Sequence, residues 1–201
     1  MNRDRVELLD HAVMAKGFYR YEKFGLSHDL FGGGHTARIE REVLIRPHAV
    51  GVLPYDPVRD RVVLIELFRI GAYAARDANP WTIEIAAGMV EEGESLEDVA
   101  RRETQEECGV ALNGSLEYIT EFYTSPGGCT ERCALYCGQV DAGRVDGIHG
   151  LKEEHEDIRV FAPRFEEAMA MIADGRIRVS HILISLYWLA LNRPRLRETW
   201  R

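Results

Sequence analysis

Apolar and polar positions interleave in several short runs and take a helical spacing in three others. Between Gly17 and Leu30, Phe18, Tyr19, Tyr21 and Phe24 are set among polar residues. Gly32-Gly33-Gly34 then breaks the chain before alternation resumes from Thr36 to Arg46. This pattern predicts a small antiparallel sheet, followed by entry into a main domain. Val50 to Pro54 and Arg61 to Ile70 flank Tyr55-Asp-Pro-Val-Arg-Asp60, whose Asp-Pro step signals a turn, so the two runs predict a hairpin. Further β-like runs are Trp81 to Ala87, Leu116 to Thr124, Glu131 to Val140 and Ile158 to Ala162. Helical spacing covers Leu96 to Cys108, Arg164 to Ala173 with Gly175 behind it, and Ser180 to Leu191, which is expected to end ahead of Pro194. Strands first, one helix in the middle and two at the end predict an α/β fold with a mixed sheet covered by helices.

Composition narrows the class. The 201 residues suit one domain, or one domain with a small appendage, and 46% hydrophobic with 29% charged residues fits a globular chain. Lys and Arg number 25 against 33 Asp and Glu, a net charge of −8, which argues against broad nucleic-acid binding because a duplex releases its counterions to a positive surface. Met1 to Gly17 is polar and mixed in charge, without the apolar core of a secretory signal. Ile182 to Leu191, interrupted by Ser185, falls short of the roughly 20 residues a bilayer demands. The expectation is a cytoplasmic protein with no membrane partner. Cys129, Cys133 and Cys137 are evenly spaced and, with Cys108, make a metal or cluster site conceivable. Residues four apart share one face of a strand, so core packing is the preferred reading, with no disulfide.

The chemistry concentrates between Gly88 and Val110. Ser95 is a good N-cap, Glu97 and Asp98 lie at the positive end of the helix dipole, and Gly109 suits the C-terminal cap. Glu103 and Glu107 are one turn apart, with Glu106 on the other diagonal, so three carboxylates crowd one patch. Such a patch is either a solvated acidic face or a seat for hard divalent cations, which favour carboxylates, a carbonyl and substrate phosphate oxygens.

Gly88, Glu94, Arg102, Glu103, Glu106, Glu107, Gly109 and Val110 match the Nudix box, G-x5-E-x7-R-E-U-x-E-E-x-G-U, with Thr104 alone departing at an aliphatic position. The chain also resembles the ADP-ribose pyrophosphatase branch of the Nudix hydrolases over nearly its whole length. Leu53 to Asp60, Val63 to Glu66, Ser125-Pro-Gly-Gly128, Gly147 to Leu151 and Glu156 to Arg159 carry that likeness, and Pro126 is the proline that sets the branch apart. The resemblance implies a Nudix α/β/α sandwich over residues 47–201, preceded by a small antiparallel β region over residues 1–46 that serves dimerisation and the adenine pocket. It implies metal ligands at Glu103, Glu106, Glu107, Glu156 and the carbonyl of Ala87, and a structural brace between Arg102 and Glu94.

Hydrolysis of a pyrophosphate also requires a base for the attacking water. The charged run Leu151 to Asp157, with Glu153, Glu154, Glu156 and Asp157, is the place to find it, and His155 is a rival there. Likeness to the ADP-ribose enzymes selects Glu154. It further implies stacking of adenine on Phe18, contacts to diphosphate and riboses from Arg41, Arg69 and Glu131, and a homodimer that exchanges its N-terminal region. The implied reaction is hydrolysis of ADP-ribose to AMP and ribose 5-phosphate with Mg²⁺ or Mn²⁺. Alternatives are another nucleoside diphosphate derivative, such as a sugar nucleotide or dinucleotide, and a noncatalytic ADP-ribose sensor.

Overall fold

A computed structural model describes residues 2–143 and 145–200, with the side chain of Glu154 outside the described set. The chain divides into two compact units, residues 1–48 with 123–132, and residues 49–122 with 133–201.

In the first unit, β1 (Val6–Lys16), β2 (Arg20–His28) and β3 (Ile39–Ile45) form an antiparallel sheet in that order. β2 and β3 fall within the two alternating runs. β1 carries no such signal, because every one of its residues is exposed and no buried face imposes a period of two. Residues 123–132 lie along β3, where the Leu44 N–H donates to the Gly128 carbonyl at 2.9 Å and the Thr130 N–H to the Leu44 carbonyl at 3.1 Å.

The second unit opens with β4 (Ala49–Asp56), β5 (Arg61–Val62), β6 (Leu64–Phe68), α1 (Ile70–Ala74), β7 (Trp81–Glu84) and β8 (Ala86–Met89). There follow α2 (Leu96–Cys108), β9 (Asn113–Tyr123), β10 (Arg132–Gln139), β11 (Gly147–His149), β12 (Ile158–Phe161), α3 (Phe165–Ala173) and α4 (Ser180–Thr199). One sheet runs β5-β4-β10-β9, with β4 and β10 parallel and β8 paired to the start of β4. The other runs β11-β12-β6-β7. The hairpin between β4 and β5 forms, but the run from Arg61 to Ile70 does not stay in one strand. After Val62 the chain passes to the second sheet, and at Ile70 it turns into α1.

Alternation sorts the strand residues into two cores. Val50, Val52, Ile65, Ile158 and Val160 pack with Val99, Ala100 and Cys108 of α2. Leu53, Tyr55, Leu64, Ile85 and Leu135 pack with Ala168 of α3 and Ile182, Leu186 and Leu189 of α4. Helices therefore cover both faces of a mixed β layer, the α/β/α arrangement expected from the sequence. Cys133 and Cys137 are buried in the second core and Cys108 in the first, whereas Cys129 precedes β10 and is only half-buried. All four are free thiols.

α4 continues through Pro194 rather than stopping ahead of it. A proline there forfeits one backbone hydrogen bond. The helix around and beyond it is held by tertiary contacts: Arg193 just before it pairs with Asp60 and Glu166, Arg195 pairs with Glu117, Leu196 is fully buried, and the Arg197 Nε donates to the Pro57 carbonyl at 3.2 Å.

Candidate active site

α2 is specified at both ends. The Asp98 N–H donates to Ser95 Oγ at 3.2 Å, and Gly109 closes the helix in the left-handed conformation (φ +67°), its N–H on the Gln105 carbonyl at 3.0 Å. Thr104, the one departure from the box, is fully buried and donates its hydroxyl to the Ala100 carbonyl at 2.7 Å. The polar group is thus satisfied within the helix, and an aliphatic site accepts threonine without an orphaned donor.

The acidic face turns toward β8. Glu107 is only 3% exposed and accepts a hydrogen bond from the Ala87 N–H at 2.8 Å. Burial pushes its carboxyl up to about 8; the Ala87 N–H and the Arg69 charge oppose this, while the charges of Glu103 and Glu156 add to it. Glu103 is also raised, mainly by burial, with Arg102 opposing and Glu106 and Glu156 reinforcing. A Cβ on Gly88 would overlap the Glu103 carboxylate outright, so the glycine is what lets that side chain lie against the strand.

Arg102 gathers the box together. Its Nε donates to Glu94 at 3.1 Å, and its Nη1 donates to Glu103 at 2.7 Å and Glu106 at 3.1 Å. Glu94 in turn accepts from the Glu91 N–H at 3.0 Å, so the loop ahead of the helix is tied to the helix through the Arg102–Glu94 pair.

Glu156 follows a one-turn 3-10 helix (Lys152–Glu154) and accepts from the Leu151 N–H at 3.0 Å. Its charge is felt by both Glu103 and Glu107, so it lies within electrostatic range of the helix carboxylates. The backbone of Glu154 lies in that 3-10 turn, and its side chain falls outside the described residues. Arg69, between β6 and α1, is forked onto Glu84 of β7, with Nε to Oε1 at 3.0 Å and Nη2 to Oε2 at 2.8 Å. Arg69, Ala87, Glu103, Glu106, Glu107 and Glu156 are thus all carried by the second unit.

The other sequence candidates belong to the first unit. Phe18, at the tip between β1 and β2, is 81% exposed and meets Tyr19 edge to face at 4.8 Å. Glu131 is buried and ion-paired to Arg46 at 2.8 Å, and the Arg46 guanidinium lies 5.0 Å from the centre of the Tyr19 ring. Arg41 is exposed on β3 opposite Phe24, four positions from the Arg20–Ile45 pair that adjoins the tip. At about 3.4 Å per residue that is roughly 14 Å along the ladder, so Phe18 and Arg41 do not share one patch within the sheet.

Glu84 and His181 escaped the sequence reading. The legible signal for Glu84 was an acid inside an apolar strand, Ile83-Glu84-Ile85, since a charge in such a run is buried only with a partner. His181 had no comparable signal.

The donors on and around α2 fit a hard cation. They are carboxylates next to a strand backbone, and Glu107 is a buried acid whose raised carboxyl holds its proton until a cation displaces it and supplies the counter-charge. Among the described residues no three Asp, Glu, His or Cys side chains are gathered as they would be around an ion, and Glu103 and Glu106 are paired with Arg102 instead. A cation would compete with that guanidinium for them.

Comparison with known proteins agrees with this geometry. The family profile described as NUDIX domain matches residues 45–180. The chain is 42% identical over 198 residues to a protein from Escherichia coli (strain K12) named ADP-ribose pyrophosphatase, covering 98% of this chain and 94% of that one. A protein of the same name from Haemophilus influenzae is 40% identical, covering 98% and 91%. A GDP-mannose pyrophosphatase from Cronobacter sakazakii is 32% identical over 189 residues, covering 93% and 96%. Among solved structures, one described as an ADP compounds hydrolase superposes with a TM-score of 0.71 at 20% identity, covering 96% of this chain and 95% of that one, which shows a shared fold. With every glutamate of the box present on and ahead of α2 and this match across most of its length, the chain belongs to the Nudix family of hydrolases.

Proposed function

We propose that this chain hydrolyses the pyrophosphate bond of ADP-ribose to AMP and ribose 5-phosphate, using Mg²⁺ or Mn²⁺. The observation that carries the reading is the buried carboxylate of Glu107, bonded to the strand backbone at Ala87 and facing Arg69 and Glu156 in the same unit. Identity of 40% to 42% with proteins named ADP-ribose pyrophosphatase supports the substrate.

Glu103, Glu106, Glu107, Glu156 and the Ala87 carbonyl are the groups that would hold the cations. When bound, these cations supply charge neutralisation on the diphosphate and polarise the attacking water and the departing oxygen. Arg69 grips the diphosphate, and its donors suit the equatorial oxygens. Glu154 takes the proton of the water as its oxygen bonds to phosphorus and the bond to the bridging oxygen breaks. Phe18, Arg41 and Glu131 serve the adenine and riboses. A homodimer that exchanges its N-terminal region would bring such groups from the partner chain, in keeping with the apolar side chains that β1 leaves exposed, among them Leu8, Val13 and Met14. No helix among the described residues is long and apolar enough to cross a membrane, and we place the enzyme in the cytoplasm.

The test is a panel of ADP-ribose, sugar nucleotides including GDP-mannose, and dinucleotides, each incubated with purified protein and Mg²⁺. ADP-ribose should give the highest kcat/KM, with AMP as a product. Preference for a sugar nucleotide or a dinucleotide would overturn the substrate, and binding of ADP-ribose without turnover would favour a sensor.

A further inference from the structure

We propose that Glu84 is a positioning residue of the substrate site, which, with Thr82 and His181, fixes the Arg69 guanidinium so that its open edge meets the diphosphate. The inference rests on the reading of Arg69 as a diphosphate ligand.

Glu84 is 3% exposed, on β7 opposite Ile65, and nothing in the hydrolytic chemistry uses it. Both its oxygens are committed. Oε1 accepts from Arg69 Nε at 3.0 Å and from Thr82 Oγ1 at 2.5 Å. Oε2 accepts from Arg69 Nη2 at 2.8 Å and lies 3.2 Å from His181 Nε2 at the start of α4. This fork leaves the Nη1 amino group and the second hydrogen of Nη2 unspent. The backbone of Arg69 is pinned as well, its N–H on the Pro80 carbonyl at 2.9 Å and its carbonyl accepting from the Tyr73 N–H at 3.1 Å. The side chain is therefore the remaining freedom, and Glu84 removes it.

The burial is lopsided. The Glu84 side chain is 4% exposed and that of Arg69 is 43%. A pair kept only for stability has no need of this asymmetry, since burying a carboxylate is costly and apolar packing in its place is often as good. An anchor sunk in the sheet with its guanidinium left open is how a donor is presented to a ligand. The Arg69 charge is felt by Glu107, and the charges of Glu107 and Glu156 by Arg69, so the guanidinium stands next to the carboxylates assigned to the cations. Burial alone would raise the Glu84 carboxyl; the His181 imidazole and the Arg69 guanidinium outweigh it and hold the group well below the usual carboxylate range. It is thus a fixed anion across the range in which the enzyme would work.

The test is a double-mutant cycle in Mg²⁺. Glu84→Gln keeps the shape but sets an amide N–H against the donors of Arg69 or Thr82. KM for ADP-ribose should rise by about tenfold or more with kcat within about threefold, the loss of one well-aimed charge-assisted contact made equally in ground and transition states. Arg69→Lys should raise KM likewise, and the double variant should be no worse than Arg69→Lys alone. An unchanged KM in Glu84→Gln, or losses that multiply in the double variant, would overturn the proposal. Should Glu84→Gln fail to fold, Thr82→Val must give a smaller rise confined to KM, and no rise overturns it. If the wild type turns over no ADP-ribose, the proposed function falls while the positioning is still read by NMR. A slowly exchanging Arg69 Nε–H in the wild type should be lost in Glu84→Gln or weakened in Thr82→Val, and the same signal in wild type and variant would refute it.

Discussion

Replacing Gly88 by alanine separates catalysis from stability. The added Cβ would overlap the Glu103 carboxylate and reach back to its Cγ, so it is the carboxylate, with its hold on Arg102, that must leave. Gly88 pairs with Val50 in the β4–β8 ladder and does not adopt a positive φ, so alanine fits the backbone there. Loss of chain freedom in the unfolded state then favours the variant by about 0.4 to 1 kcal/mol, offset by whatever the side chain must yield. The melting transition should therefore move little. The reaction is another matter, because moving a catalytic group by about 1 Å can cost about a hundredfold in rate, close to 2.7 kcal/mol of barrier. Steady-state hydrolysis of ADP-ribose in saturating Mg²⁺, read as AMP released, should show kcat/KM reduced by about that factor, with urea unfolding within about 1 kcal/mol of wild type. In a Glu103→Gln background the further loss from Gly88→Ala should shrink to a few-fold. A Gly88→Ala enzyme with wild-type activity, or one that loses activity only in step with stability, would refute the reasoning.

Three other outcomes follow from the same geometry. Glu107→Gln should lose most turnover together with calorimetric metal uptake, whereas Glu154→Gln should lose turnover with metal affinity nearly intact; wild-type rate in Glu154→Gln would remove it as the base. Thr104→Val should change urea stability by less than about 1.5 kcal/mol, the net worth of the one neutral hydrogen bond that its hydroxyl makes to the Ala100 carbonyl of its own helix. A larger loss would mean that the hydroxyl has a further role. Asp56 is buried, and burial would raise its carboxyl, but the N–H groups of Arg59, Ala142 and Val58 and the Arg59 guanidinium outweigh this and hold it low. A folded value below the unfolded one adds stability above the unfolded value, and that stability is lost as pH falls through the folded value. Asp56→Asn should thus be less stable by about 1 to 3 kcal/mol at pH 7, with the gap closing as pH drops below about 4. A gap that stays constant down to pH 3 would contradict this.

Legibility in the sequence followed burial. β4, which sends Val50 and Val52 to one core and Leu53 and Tyr55 to the other, shows as a continuous apolar run because both its faces are buried, and α2 shows its caps. β1 was invisible because none of its faces is buried in the chain. The end of α4 was misjudged because proline is a local signal, while Leu196, Arg193, Arg195 and Arg197 act across the fold. That Glu103, Glu106 and Glu107 crowd one patch could be read from helical spacing, whereas their role came from the resemblance to the Nudix box. That Glu131 is held by Arg46 and Arg69 by Glu84 could not, for those pairs join segments distant in sequence.

The central claim is that the acidic face of α2 works by holding divalent cations at a bound diphosphate. Its most direct test follows AMP release from ADP-ribose by metal-stripped protein as Mg²⁺ is added back. The account predicts no turnover in EDTA, saturable recovery with Mg²⁺, and no recovery in Glu107→Gln at the same concentrations. Equal turnover in EDTA, or full recovery in Glu107→Gln at wild-type Mg²⁺ levels, would contradict it.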